Sequence, residues 1–428
     1  MRIIRRMTSI VIVGGGHAAA QLCSSLAEAG LGPRVHLVCG EAELPYQRPP
    51  LSKAFLKSPA EGLQALRAES WFAQAGITVH RADPALAIDR AAQRLHLQSG
   101  TDLAYGQLVL ATGSRARRLP QLPAGLANVA VLRNAADAAV LRTRLGSASS
   151  LTVLGGGFIG LEVAATARAL GLAVRVIEAA PRLLARSVSV ELSDHVLATH
   201  RAAGIAIELG AQVGAAEFNA ERLLSLQVNG EPCAIDLLLL GVGAEPDTTL
   251  AEAAGLRLAN GIVVDAAMRS SDPAILAIGD VANFCVAESW APAGTRLRLE
   301  SVQNANDQAR TAAATLQGLP AAYAALPWFW SEQGSLRLQM AGLMPPVDAP
   351  GVTRYRRPGA APAAPAGAAA GTAPAGFSIL HYRGERLVCV ESVNAALDHV
   401  MSRKLLEAGR HPAPALACDP AVPLKSLL

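Results

Sequence analysis

Cysteine is sparse and scattered in this chain. Cys23, Cys39, Cys233, Cys285, Cys389 and Cys418 form no C-x-x-C or C-x-x-x-x-C pair. Such spacing excludes a disulfide framework, offers no metal-ligand set, and fits a reduced cytoplasmic setting. Aromatic residues are also few, at 4% of 428 residues, while alanine is abundant. That balance suits helices on sheets and argues against an all-β architecture. Strong charge of either sign is missing: the net charge of +4 is too weak for nucleic acid and mildly suits an acidic protein partner. No run of 18 apolar residues lacks a charge or a glycine cluster, so no membrane span is expected. The opening MRIIRRMTS places basic residues before an apolar stretch, but no cleavage site follows. SIVIVGGG therefore reads as a buried strand entering a glycine loop, with residues 1–7 as a loose arm.

What the chain does have is hydrophobic content, 51%, enough for two or three domains. A strand at 9–13, a glycine loop, a helix at 18–29 and a strand at 35–38 make a βαβ opening. From residue 151 the pattern restarts, with a strand at 151–154, a loop, a helix at 159–170 and a strand at 173–177. Apolar strands are expected at 107–114, 236–247, 261–265 and 274–280, and a helix at 305–316. Beyond Pro327 polar and apolar residues alternate, as in antiparallel strands. Residues 358–376 are low-complexity Ala/Pro/Gly, expected to form a flexible exposed loop between two strands.

The two loops carry the chemistry. VIVGGGHAA gives G-x-G-x-x-A at Gly14, Gly16 and Ala19, and VLGGGFIGLE gives G-x-G-x-x-G at Gly155, Gly157 and Gly160. The first glycine permits the tight turn, the second admits a pyrophosphate, and the third position lets helix and strand pack closely. One match is weak; two, each after a strand and before a helix, are not. A carboxylate at the second strand end would hold ribose hydroxyls: Glu178 lies 21 residues after Gly157, and Glu41 lies 25 after Gly16. A carboxylate at 178 also repels the extra phosphate of NADP, which favours NADH. Arg175 and Arg182 lie nearby and speak the other way. Two dinucleotides on one chain point to a flavin and a nicotinamide exchanging hydride.

With these residues in hand, the chain resembles the FAD-dependent NADH:ferredoxin reductases of bacterial cytochrome P450 and Rieske oxygenase systems. The matching stretches are VIVGGGHAA, LPYQRPPLSK, LVLATGS, GGGFIGLEVAATAR, GVGAEPD, GIVVD, RSSDPAILAIGDVA, RLESVQNANDQAR and PWFWS, in order over about residues 8–335. Weaker similarity continues through RLVCVESVNAALD and VPLKSLL. The resemblance implies an α/β fold on the glutathione-reductase-like plan. It has an FAD-binding domain (1–113 and 245–326), an NADH-binding domain inserted in it (114–244), and a C-terminal α+β domain (327–428). It also implies that hydride from NADH reduces FAD and that single electrons leave to an acidic [2Fe–2S] ferredoxin, from a monomer or homodimer.

Family roles fall on named positions. For FAD they are Gly14, Gly16, Ala19, Glu41, Arg48, Lys53, Ala111, Thr112, Gly113, Arg133, Asp280 on the ribitol, and Val302 at a helix start. For NAD they are Gly155, Gly157, Ile159, Gly160, Glu162, Glu178 and Gly243. Lys53 and Glu162 are expected to pair at the hydride-transfer site, where paired charges tolerate burial. Trp330 is expected near the flavin, as a shield or an electron exit. One departure is Gly40, which stands where the family has an acidic residue, with Glu41 next.

Rival readings meet specific absences. A flavin disulfide reductase needs a cysteine pair where PYQRPPLSK stands, and a single-cysteine peroxidase or oxidase fails at the same place. A flavin monooxygenase would carry F-x-G-x-x-x-H between the loops, and no such stretch occurs. A redox-sensing interaction protein resembling apoptosis-inducing factor, or another NADH-dependent flavin reductase, keeps the same cofactors and is separated only by turnover with ferredoxin.

Overall fold

Short apolar runs bounded by glycine form the centres of two compact units. The computed structural model describes residues 9–287, 294–346, 349–359 and 376–428. The expected arm at 1–7 and most of the expected loop at 358–376 lie outside the described residues. One unit comprises Met1–Pro49, Gly62–Arg115 and Ala244–Ala325; the other comprises Pro50–Glu61, Ala116–Gly243 and Leu326–Leu428.

In the first unit the strand Ile10–Val13 (IVIV) is buried at all four positions, as a parallel strand covered on both faces must be. It pairs in parallel with Val35–Val38 on one side and Gln107–Leu110 on the other. Thr78–His80 and Ile275–Ala277 complete a five-stranded sheet. The helix His17–Glu28 follows the first loop and buries Ala18, Ala19, Leu22, Cys23 and Leu26.

The second unit repeats this order. Ser150–Leu154 pairs in parallel with Ala173–Ile177 and Leu237–Leu240, flanked by Ala206–Glu208 and Val129–Ala130. The helix Phe158–Ala169 follows the second loop. The same unit holds a five-stranded antiparallel sheet in the order Trp328–Gln333, Leu336–Gly342, Arg386–Val393, Phe377–Arg383, Val352–Pro358. Leu338, Met340, Ile379 and Val393 of that sheet join Val163, Leu192 and Val196 in one buried cluster. The strands Val352–Pro358 and Phe377–Arg383, which flank the Ala/Pro/Gly segment, pair directly, with Pro358 opposite Phe377.

Several elements differ from the sequence reading. The apolar strand expected over 236–247 ends at Leu240, because Gly243 turns the backbone at φ +103° before a separate short strand, Ala244–Pro246. The helix expected from 305 begins at Val302, since Ser301 Oγ accepts from the Asn304 N–H and caps it there. Two three-stranded antiparallel meanders, Ala85–Asp89 with Arg94–Leu97 and Asp102–Ala104, and Val213–Phe218 with Leu223–Val228 and Glu231–Ala234, were not expected. All six cysteines are free thiols, and burial pushes Cys39 up to about 12. Among the described residues no helix is long and apolar enough to cross a membrane.

Candidate active site

Each glycine loop is built by a close backbone crossing. A Cβ on Gly14 would stand 2.2 Å from the Ala111 carbonyl oxygen, and one on Gly155 would stand 2.3 Å from that of Gly241. Both glycines have positive φ, +129° and +110°. In the second loop a Cβ on Gly160 would meet the Gly155 carbonyl at 2.5 Å, so this position sets how closely helix and strand pack. The middle glycines behave differently. A Cβ on Gly157 would meet nothing within 4 Å, and one on Gly16 only Arg48 Nε at 4.0 Å. Sterics within the chain do not require glycine there.

Gly16 and Gly157 are also the N-caps of their helices, and neither helix has a side-chain cap. The helix Ala135–Leu145, by contrast, is capped by Asn134 and Asp137 in a reciprocal capping box. Helix starts without a side-chain cap, at glycines whose Cβ position is nearly open, fit an anionic pyrophosphate, so the residues present fit a dinucleotide at each loop.

In the first unit, Ala111, Thr112 and Gly113 follow the strand Gln107–Leu110, and Thr112 Oγ1 donates to the Asp247 carbonyl at 2.7 Å. Asp280 lies in the 3-10 turn Gly279–Val281 and accepts from Ser114 Oγ at 3.3 Å. Val302 is the first residue of its helix. Glu41 accepts from Arg48 and Tyr46 Oη, both at 2.6 Å. The carboxylate one place beyond the usual acidic position is thus tied to a second expected FAD residue, with Gly40 beside it.

In the second unit, Glu178 directly follows the strand Ala173–Ile177 and accepts from the N–H groups of Gly156 and Ala180. It thereby bonds the glycine loop itself. Arg175 is committed to Glu208 and Cys233 Sγ, and Arg182 to the carbonyls of Val188 and Ala185. Ile159 is 48% exposed at the start of its helix. Gly243 is in the left-handed region, and Arg133 donates its N–H to Asp137 beside the capping box.

The largely buried pair Lys53–Glu162 is 2.7 Å apart, with side chains 18% and 4% exposed. Lys53 arrives from the segment Pro50–Glu61, after the 3-10 turn Pro49–Ser52, and Glu162 from one turn inside the Phe158–Ala169 helix. Breaking such a buried pair typically costs about 3–5 kcal/mol, because one charge is left unmatched. Two serines complete the carboxylate's shell: Ser52 Oγ donates to Oε2, and Ser331 Oγ donates to Oε1 at 2.7 Å. Sequence reasoning missed both, although Ser52 adjoins Lys53 in PPLSK and Ser331 adjoins Trp330 in PWFWS. Trp330 stacks on Trp328, centroids 5.8 Å apart, and both are half-buried.

The family described as pyridine nucleotide-disulphide oxidoreductase matches residues 8–309, and the reductase C-terminal family matches residues 328–428. The chain is 41% identical over 420 residues to rhodocoxin reductase of Rhodococcus erythropolis, covering 97% of this chain and 93% of the relative. It superposes with a TM-score of 0.88 and 40% identity on the ferredoxin reductase for the CYP199A2 system of Rhodopseudomonas palustris, covering 98% and 99% of the two chains. With a TM-score of 0.86 and 34% identity it also matches the reductase of the covalent putidaredoxin reductase–putidaredoxin complex, covering 98% of each chain. Glycine loops open to a dinucleotide, the buried lysine–glutamate pair and the appended antiparallel sheet thus occur in a chain that belongs to the pyridine nucleotide-disulphide oxidoreductase family, with the reductase C-terminal domain.

Proposed function

We propose that this protein takes hydride from NADH onto a bound FAD and delivers electrons singly to an acidic [2Fe–2S] ferredoxin serving a cytochrome P450 or Rieske-type oxygenase. The observation that carries this reading is the Lys53–Glu162 pair within a chain bearing two dinucleotide loops and no cysteine pair. FAD, when bound, supplies the two-electron to one-electron conversion.

The chain's own residues do the rest. Gly14, Gly16 and Ala19, with Arg48, Ala111, Thr112, Gly113, Asp280 and Val302, would hold FAD; Lys53, Arg133 and Glu41 are assigned with them. Gly155, Gly157, Ile159, Gly160, Glu178 and Gly243 would hold NADH. Each Glu178 oxygen accepts one backbone N–H and keeps a second lone pair for a ribose hydroxyl. With Arg175 and Arg182 engaged elsewhere, the same carboxylate disfavours the 2′-phosphate of NADPH. Lys53 holds a fixed positive charge where negative charge develops during hydride transfer, and Glu162 fixes its direction. No general acid or base is needed for transfer of a hydride. Trp330 is assigned to shielding the site or to electron exit. A net charge of +4 suits an acidic partner.

The test is steady-state NADH-dependent cytochrome c reduction with and without an added [2Fe–2S] ferredoxin. Ferredoxin should raise the rate at least tenfold. An unchanged rate would favour a slow redox-sensing flavoprotein instead.

A further inference from the structure

The hydrogen bonds around Glu162 continue past its first neighbours. Ser331 Oγ donates to Glu162 Oε1 at 2.7 Å, Gln333 Nε2 donates to Ser331 Oγ at 3.2 Å, and Gln333 Oε1 meets His200 Nε2 at 2.9 Å. Ser331, Gln333 and His200 are 1%, 1% and 2% exposed. All lie in the same unit as Lys53 and Glu162. Ser331 and Gln333 are two apart on the strand Trp328–Gln333, so strand alternation turns both to one face. His200 comes from the last turn of the helix Val190–Ala202.

The donors all point one way. The Gln333 carbonyl can only accept, so His200 carries its proton on Nε2. Burial lowers the histidine's pKa, which agrees with a neutral ring. The Gln333 amide donates onward, and the Ser331 hydroxyl, having accepted, donates to the carboxylate. Each bond polarises the next, and the accumulated polarisation falls on Glu162, whose other oxygen faces Lys53. A buried relay that is fully satisfied also rigidifies what it holds.

We infer that Ser331, Gln333 and His200 are positioning residues for the Lys53–Glu162 pair, solvating and aiming the carboxylate through this one-directional relay. The inference rests on the reading of Lys53 and Glu162 as the hydride-transfer pair, and its test separates the two.

The experiment is anaerobic stopped-flow reduction of the FAD holoprotein by saturating NADH. Ser331→Ala and Gln333→Met should each slow the limiting rate roughly five- to tenfold, with FAD content and NADH affinity near wild type. Ser331→Thr, which keeps the hydroxyl, should recover most of the rate. In a Glu162→Gln background, Ser331→Ala should add nothing, because the charge it serves is gone. A merely structural serine would slow both backgrounds by the same factor, and that result overturns the relay. So do unchanged rates in both relay variants while Lys53→Ala and Glu162→Gln remain slow. Unchanged rates in Lys53→Ala and Glu162→Gln overturn the pair and the relay together. Should Ser331→Ala fail to take up FAD, Gln333→Met carries the same comparison.

Discussion

At the scale of single residues, cofactor specificity is assigned here to a carboxylate. Glu178 bridges two roles: it bonds the loop N–H groups of Gly156 and Ala180, and it is assigned to the ribose of NADH. Glu178→Ala should therefore raise KM for NADH about tenfold, the usual worth of a lost charge-assisted bond. It should also narrow the preference over NADPH. Kinetics with both nucleotides check this, and an unchanged preference would remove Glu178 from the ribose. His399 gives a separate, stability-level prediction. It is 1% exposed, neither ring nitrogen has a protein partner, and burial with Arg403 and Arg337 nearby pushes it down to about 4. The folded state keeps this ring neutral while the unfolded chain protonates near its ordinary value of 6.5. The stability it contributes is present above pH 6.5 and is lost as pH falls toward 4, on the order of 3 kcal/mol. Urea midpoints at pH 7 and pH 5 should differ less in His399→Gln; an equal shift would exclude this residue as the cause.

At the scale of elements, the glycine loops are proposed to separate folding from binding. Gly155→Ala drives a Cβ into the Gly241 carbonyl at an unfavourable φ and should cost about 3 kcal/mol or more. Gly157→Ala meets open space, so it should leave the melting temperature near wild type while weakening NADH binding at least tenfold. Equal losses of stability in the two variants would contradict the assignment of the open space to a ligand. These loops were legible in the sequence because fixed glycine offsets follow buried strands such as IVIV. The two meanders were not legible: their strands, such as Ala85–Asp89 and Val213–Phe218, are largely exposed and lack clean alternation. The end of the strand Leu237–Leu240 was misread because Gly243, not hydropathy, turns the chain there. Lys53 and Glu162 were readable through the family resemblance. Ser52, Ser331, Gln333 and His200 were not, since a hydrogen-bond network joining residues 52, 162, 200, 331 and 333 has no local signature. Only the fold brings them together.

At the scale of the whole molecule, each unit is centred on its own parallel sheet with its own dinucleotide loop, and the second also carries the C-terminal antiparallel sheet. This division explains the duplicated loops: one assigned to FAD, one to NADH. It also explains why a disulfide is not required, since the electrons are proposed to leave to a protein partner and not through a dithiol. The Ala/Pro/Gly segment is flanked by the directly paired strands Val352–Pro358 and Phe377–Arg383. The most direct test of the central claim is anaerobic mixing of the NADH-reduced holoprotein with an oxidised [2Fe–2S] ferredoxin, followed by the absorbance of each. Ferredoxin should be reduced by two equivalents for each NADH consumed, as the flavin returns to its oxidised spectrum. A flavin that stays reduced beside an oxidised ferredoxin would contradict it.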